Sequence, residues 1–182
     1  MDAVSAGALF RRILGEGFDA LPAQLRALHG IVPGQRVTWR GEAAIARGRN
    51  PLARLCALAT RLPRANECAP TTIEFAADAD GETWRRDFAG APMVSRYRQC
   101  DGLLCERLGL VEFAFALRID AGEIRWTTAG VRLFGALPLP AAWFAGVRCR
   151  ERERNGRYEF LVEATLPLAG PLVRYEGWLE RA

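Results

Sequence analysis

The chain contains no lysine, so all 25 of its basic residues are arginine, and it has a single histidine, His29. It also lacks C-x-x-C: Cys56, Cys68, Cys100, Cys105 and Cys149 are odd in number and, with one histidine to help them, argue against a zinc site. There is no G-x-S-x-G, no H-E-x-x-H, no glycine-rich phosphate loop and no cluster of His, Asp and Glu at metal spacing, so no recognisable reaction centre or cofactor is implied. No segment reaches the roughly 18 uninterrupted apolar residues of a membrane span. The opening "MDAVSAGALFRRILGEGF" has an acid at Asp2 and paired arginines inside its only apolar run, which does not suit a secretory signal. The expectation is a soluble protein of a reducing cytoplasm.

What is present is arginine and apolar bulk. The missing lysine fits the codon bias of a GC-rich genome, the chain also being rich in Ala, Gly and Leu; the sharper alternative is that arginine was chosen for bidentate anion contacts. The formal charge is +4, yet in "RCRERERNGRY" the residues Arg148, Arg150, Arg152 and Arg154 alternate with Glu151 and Glu153. That reads as a solvated strand face and not as a phosphate-binding stripe, so nucleic acid is not the expected partner. Half of the residues are hydrophobic, enough for one domain over 1–182 that buries a core without disulfides.

Helical spacing governs residues 1–66, with first strands among the helices. "ALFRRILGEGF" carries Leu9, Ile13 and Leu14, and Gly15 and Gly17 end it. "DALPAQLRALHG" has Asp19 as a plausible N-cap, Leu21, Leu25 and Leu28 on one face, and Gly30 at the C-cap. In "NPLARLCALATRLP", Asn50 caps and Pro51 takes the first turn. Leu52, Leu55, Cys56, Leu58, Ala59 and Leu62 there leave only Arg54 and Arg61 for water, so this helix should be covered on more than one side. "QRVTWRGEAAIARG" alternates as a strand pair would.

From residue 70 to 182 the period becomes two, with "DADG", "CDG", "DAG", "NG" and "AG" as hairpin joints. The alternation is cleanest where Val111, Phe113, Phe115, Leu117 and Ile119 share a face. About nine to ten consecutive antiparallel strands cannot stay flat. The expected fold class is therefore α+β, mainly antiparallel β: a curved up-and-down sheet or barrel, lipocalin-like or START-like in outline, plugged or capped by the N-terminal helices. "FGALPLPAAWF", with Pro138 and Pro140, cannot be an interior strand and reads as a loop against the mouth of the sheet.

Polar residues on inward faces single out candidate site positions. In "GETWRRDFAG", Trp84, Arg86 and Phe88 share one face while Thr83, Arg85 and Asp87 share the other. A buried Arg86 needs a partner, and Glu106, flanked by Leu104 and Leu108 in "LLCERLG", is the candidate. Tyr175 points inward beside Val173 by the same logic. Either Arg86 and Glu106 are a satisfied pair that fixes register, or they are the polar anchor of a small-ligand site walled by Trp84, Phe88, Phe113, Phe115 and Tyr175. His29 could act as a general base, but at the end of an apolar helix it also suits the C-terminal dipole. Cys100 and Cys105 are expected to be inert thiols.

The order "LFRRILGEGFDALPAQLRALHG", "RGRNPLARLCA", "ETWRRDF" with "SRYR", "LCERLG", "LPLPAAW", "GRYEFLVEATLPLAG" and "LVRYEGWL" resembles the bacterial domain of unknown function numbered 4166. The resemblance puts motif positions at His29, Asn50, Pro51, Trp84, Arg86, Phe88, Ser95, Glu106, Gly109, Pro138, Pro140, Gly170, Tyr175 and Gly177. It implies no activity. Relatives occur alone or attached to oxidoreductase-like domains that resemble saccharopine dehydrogenases or short-chain reductases, which implies an oxidoreductase partner. Three readings follow: a binder of a small apolar or amphipathic anionic molecule, a non-catalytic interaction module on such a partner, and an enzyme using His29 with Glu106.

Overall fold

Left-handed turns set the architecture. Ala89-Gly90, Asp101-Gly102, Ala121-Gly122 and Asn155-Gly156 each place two residues at positive φ between paired strand ends, the mirror-image turn whose twist suits an antiparallel hairpin. The structure, a computed structural model, describes residues 7–60 and 62–182. Asp2, Arg61 and the side chains of Leu58 and Ala59, used in the readings above, lie outside the described residues.

The strands are β1 (Arg36–Arg47), β2 (Asn66–Asp78), β3 (Gly81–Phe88), β4 (Ala91–Cys100), β5 (Leu103–Leu108), β6 (Val111–Asp120), β7 (Glu123–Leu133), β8 (Leu137–Leu139), β9 (Gly146–Arg154), β10 (Arg157–Leu166) and β11 (Gly170–Arg181). All but β8 form a closed ring in which every neighbour is antiparallel. The ring follows chain order, with β7 passing to β9 and β11 closing on β1. The fold is thus a closed antiparallel barrel of ten strands; the period-two pattern predicts the antiparallel meander and allows either a barrel or an open curved sheet, and the β1–β11 pairing makes it the barrel. "QRVTWRGEAAIARG" is one 12-residue strand, β1, and not a strand pair: it is curved, with an irregular register against β2 at Ala43 to Ile45. "LPLP" contributes β8, paired only with the last residues of β7, so Pro138 sits on an edge where its missing N–H breaks no ladder.

Helices α1 (Leu9–Leu14) and α2 (Ala23–His29), joined by a 3₁₀ turn at Gly15–Ala20, plug one end. Phe10, Phe18, Leu21, Leu25 and Leu28 are buried there. Asp19 does not cap α2. Leu21 precedes Pro22 and is driven to extended backbone, so the helix starts only at Ala23, and Asp19 instead takes a bidentate bond from Arg11. Helix α3 (Pro51–Ala59) stands at the opposite end, beside β11; the Asn50 Oδ1 accepts the Leu52 N–H at 2.9 Å. Among the described residues it is covered on one side only. Ala53 and Ala57 are buried, whereas Leu52 and Leu55 stay 44% and 63% exposed, because none of the described residues packs over that face of the helix. No helix among the described residues is long and apolar enough to cross a membrane.

The β1–β11 seam that closes the ring is a close backbone approach. A Cβ on Gly177 would lie 2.1 Å from the Glu42 carbonyl oxygen, and one on Gly41 would lie 1.9 Å from that of Trp178. Main chain cannot swing aside as a side chain would. Gly177→Ala should therefore lower stability by about 1–3 kcal/mol, read as a lower urea midpoint at unchanged slope. A midpoint equal to wild type would show that the seam has slack.

Candidate functional site

Ten strands enclose more volume than their inward side chains fill. The barrel holds a cavity of about 300 Å³. Its lining comes from every strand of the ring except β1, and from α3, β8 and the 3₁₀ turn at Ala141–Phe144. The plug of α1 and α2 forms no part of the wall but sits behind it: Phe10 stacks on His29 at 3.8 Å and packs against Trp84 and Trp126, which do line the cavity.

Arg86, Glu106, Trp84, Phe88, Phe113, Phe115 and Tyr175 all border this cavity. Arg86 is 7% exposed. Its Nη1 donates to the Ser95 Oγ at 2.8 Å and its Nη2 to the Tyr97 hydroxyl at 2.5 Å, while its guanidinium lies over the Trp84 ring at 5.0 Å. Glu106 is not bonded directly: its Oε1 is 3.9 Å from the guanidinium and accepts the Tyr97 hydroxyl at 2.5 Å. Tyr97 thus bridges the two charges. Burial pushes its phenol well above the ordinary range, so at neutral pH it is a neutral donor and acceptor. Burial alone would lower Arg86, but Tyr97, Tyr175 and Glu106 outweigh it and the guanidinium is held above its ordinary value.

Register explains the meeting. Tyr97 on β4 stands opposite Glu106 on β5, and Ser95 stands opposite Trp84, diagonal to Arg86. Period two in "MVSRYRQ" puts Met93, Ser95 and Tyr97 on one face, a signal the sequence reading left unused.

His29 is placed differently from its expected pairing. It is fully buried, and its Nε2 lies 2.8 Å from the Glu151 Oε2 with no bond to Glu106; its Nδ1 has no hydrogen-bond partner. Glu151 is 1% exposed and lines the cavity with Tyr158, whose phenol is raised by burial and by Glu151. "RCRERER" is therefore not a solvated face throughout. Its arginines face outward to varying degrees, while Glu151 points in and Glu153 accepts the Gln24 N–H that begins α2. Alternation in a strand that is polar on both faces cannot say which face is inside.

A third acid, Glu82, is also buried, two residues before Trp84 on the same face. Its Oε2 accepts the Trp84 Nε1–H at 2.8 Å and its Oε1 has no partner. Cys105 is pushed up to about 12 by burial and by Cys100, so it is a poor nucleophile. Among the described residues no group of three or more His, Cys, Asp and Glu is placed to hold a metal. A cation, phenols and carboxylates converge on an apolar chamber.

Burial holds the Glu82 carboxyl at about 7, against the lowering effect of Trp84, His29 and Arg12. Between its ordinary value of 4.5 and about 7 the unfolded chain ionises while the folded chain keeps the proton, so stability falls as pH rises through this window. The full effect is about 3 kcal/mol. Glu82→Gln should remove that slope, and denaturation at pH 5 and pH 8 should show the variant gaining on wild type by that order at the higher pH. A pH-independent difference would mean that Glu82 is solvated.

A family model with the description "Domain of unknown function (DUF4166)" matches residues 21–179. No curated protein matches the chain. Among solved structures the chain is similar to the "Crystal Structure of Rv2717c from M. tuberculosis" at 14% identity and a TM-score of 0.47, over 89% of this chain and 99% of that one.

Proposed function

Because the chain belongs to the DUF4166 family, whose description names no activity, we propose a function from the cavity: the barrel binds a small apolar or amphipathic molecule that carries a negative group. The observation that carries this reading is a guanidinium inside an apolar chamber with hydrogen bonds from two of its five N–H donors. Trp84, Phe88, Phe113 and Phe115 supply walls for an apolar body. Tyr97 and Tyr175 supply hydroxyls beside the anchor. Glu106, acting through Tyr97, orients Arg86 and offsets its charge while the chamber is empty of anion. Apolar walls with a few convergent polar groups are the usual composition of a small-molecule site.

The competing account is a purely structural cluster that fixes the register of β3, β4 and β5. Two probes separate them: 1-anilinonaphthalene-8-sulfonate, an aromatic anion, and the neutral N-phenyl-1-naphthylamine. Arg86 is removed together with its counter-charge, as Arg86→Met with Glu106→Gln, because either change alone leaves a buried charge unpaired. Both probes should bind wild type one to one. The double variant should weaken the sulfonate by about 10-fold or more, the range of a charge-assisted hydrogen bond, and leave the neutral probe within about 2-fold. Equal weakening of both probes, or no binding of either to wild type, would sink the ligand reading.

A further inference from the structure

The two ends of the barrel differ in chemistry. Turns after β2, β4, β6 and β9 lie at the plugged end, and those after β3, β5, β7 and β10, with α3, lie at the other. The cavity reaches that second end, since Cys56 of α3, Thr60 just after it, Leu139 of β8 and Phe144 border it. Of the eight large apolar side chains left exposed among the described residues, seven stand there. Leu52 and Leu55 are on α3, Leu110 follows β5, and Trp143 follows β8. Phe134, Leu137 and Leu168 complete the rim at 64%, 56% and 93% exposure. The eighth, Val94, is on the wall of β4.

The turns show the contrast most directly. Where the plugged end has Asp101 and Asn155 at positive φ, residue types that accept this backbone readily, the mouth has Phe134 at φ 56° and Leu168 at φ 65°. Bulky apolar side chains held both in solvent and in left-handed backbone are an unfavourable choice for a free surface. The tips are also tied together: the Phe134 N–H donates to the Leu110 carbonyl at 2.8 Å, and Asn50 Nδ2 donates to the Leu168 carbonyl at 3.3 Å, joining α3 to the β10–β11 turn.

Charge selects the partner. Three of the rim segments, 43–66, 131–149 and 164–173, contain no aspartate or glutamate, while Glu67 at the start of β2 and Asp87, which accepts the Gly90 N–H in the β3–β4 turn, are acids nearby. Arg49, Arg54, Arg64, Arg132 and Arg148 are exposed in these three segments, and among the described residues none of these five is ion-paired. An isologous second copy would oppose like charges. We propose that this mouth docks on an anionic lipid bilayer, its apolar tips among the headgroups and its arginines on the phosphates. Passage of a ligand between bilayer and cavity through this face rests on the binding function proposed above; the docking itself does not.

The test is sedimentation of the full chain with vesicles of phosphatidylcholine and phosphatidylglycerol, against vesicles of phosphatidylcholine alone. Wild type should sediment with the anionic vesicles and be released by salt. Phe134→Asp with Leu168→Asp should weaken this by about 10-fold or more, while Val94→Asp leaves it unchanged. Leu168→Asn, which suits the turn, checks that loss does not come from a misfolded hairpin. Absence of vesicle binding, equal binding without phosphatidylglycerol, or equal loss in Val94→Asp overturns the proposal. So does a dimer, or a stoichiometric protein complex, that dissociates on the same substitutions. Naphthylamine binding read on the same proteins separates the two failures: probe bound without vesicles counts against docking alone, and vesicles bound without probe count against the cavity reading alone.

Discussion

A guanidinium inside an apolar barrel must be solvated by the protein itself, and Arg86 imposes that requirement on three successive strands. Ser95 and Tyr97 must face inward from β4 and Glu106 from β5, each within reach of β3. A slip of one residue in either pairing would turn the acceptors outward and leave the charge unpaired, at a cost of several kcal/mol. The Ala89-Gly90 and Asp101-Gly102 turns prevent this, because a two-residue loop at positive φ fixes which residues stand opposite each other. Local turn chemistry therefore secures a long-range electrostatic fit.

The same barrel creates the space that gives this charge a use. A ring of ten strands is too wide for its inward side chains to meet, so volume remains wherever nothing else is inserted. At one end α1, the 3₁₀ turn and α2 are inserted, and Phe10 closes the floor against His29, Trp84 and Trp126. At this end Glu82, His29 and the cavity-lining Glu151 form a buried polar layer, and the unpartnered His29 Nδ1 and Glu82 Oε1 mark it as incompletely satisfied. At the other end, among the described residues, the thin face of α3, the β8 segment and the turn at Ala141–Phe144 approach the opening. The asymmetry of the molecule, one end packed and acidic within, the other apolar and rich in arginine at its rim, follows from where the chain places its helices.

Much of this was legible in residues alone. Period two located the strands and put Trp84, Arg86, Phe88 and Glu106 on one surface, since a strand that buries one face must alternate. Glycine in the joints announced the hairpins. Of the expectations that the structure corrects, three fail for related reasons. Glu151 was assigned to water because a strand polar on both faces offers no contrast from which to choose the inner one. Asp19 was read as a cap because its spacing fits, although Pro22 forbids helix at the residue before it. Helix α3 was expected to be wrapped because it is apolar nearly all round, but apolar composition demands cover without supplying it.

The sequence by itself determined the alternation, the turns and the presence of a cation on an apolar face, all properties of neighbours along the chain. Tertiary structure decided that Arg86 reaches Glu106 through Tyr97, that His29 meets Glu151 across 122 positions of chain, and that a chamber is left between them. Those outcomes depend on closure of the ring by β1 and β11. Closure sets the distance across the barrel, and no pattern of adjacent residues encodes that distance.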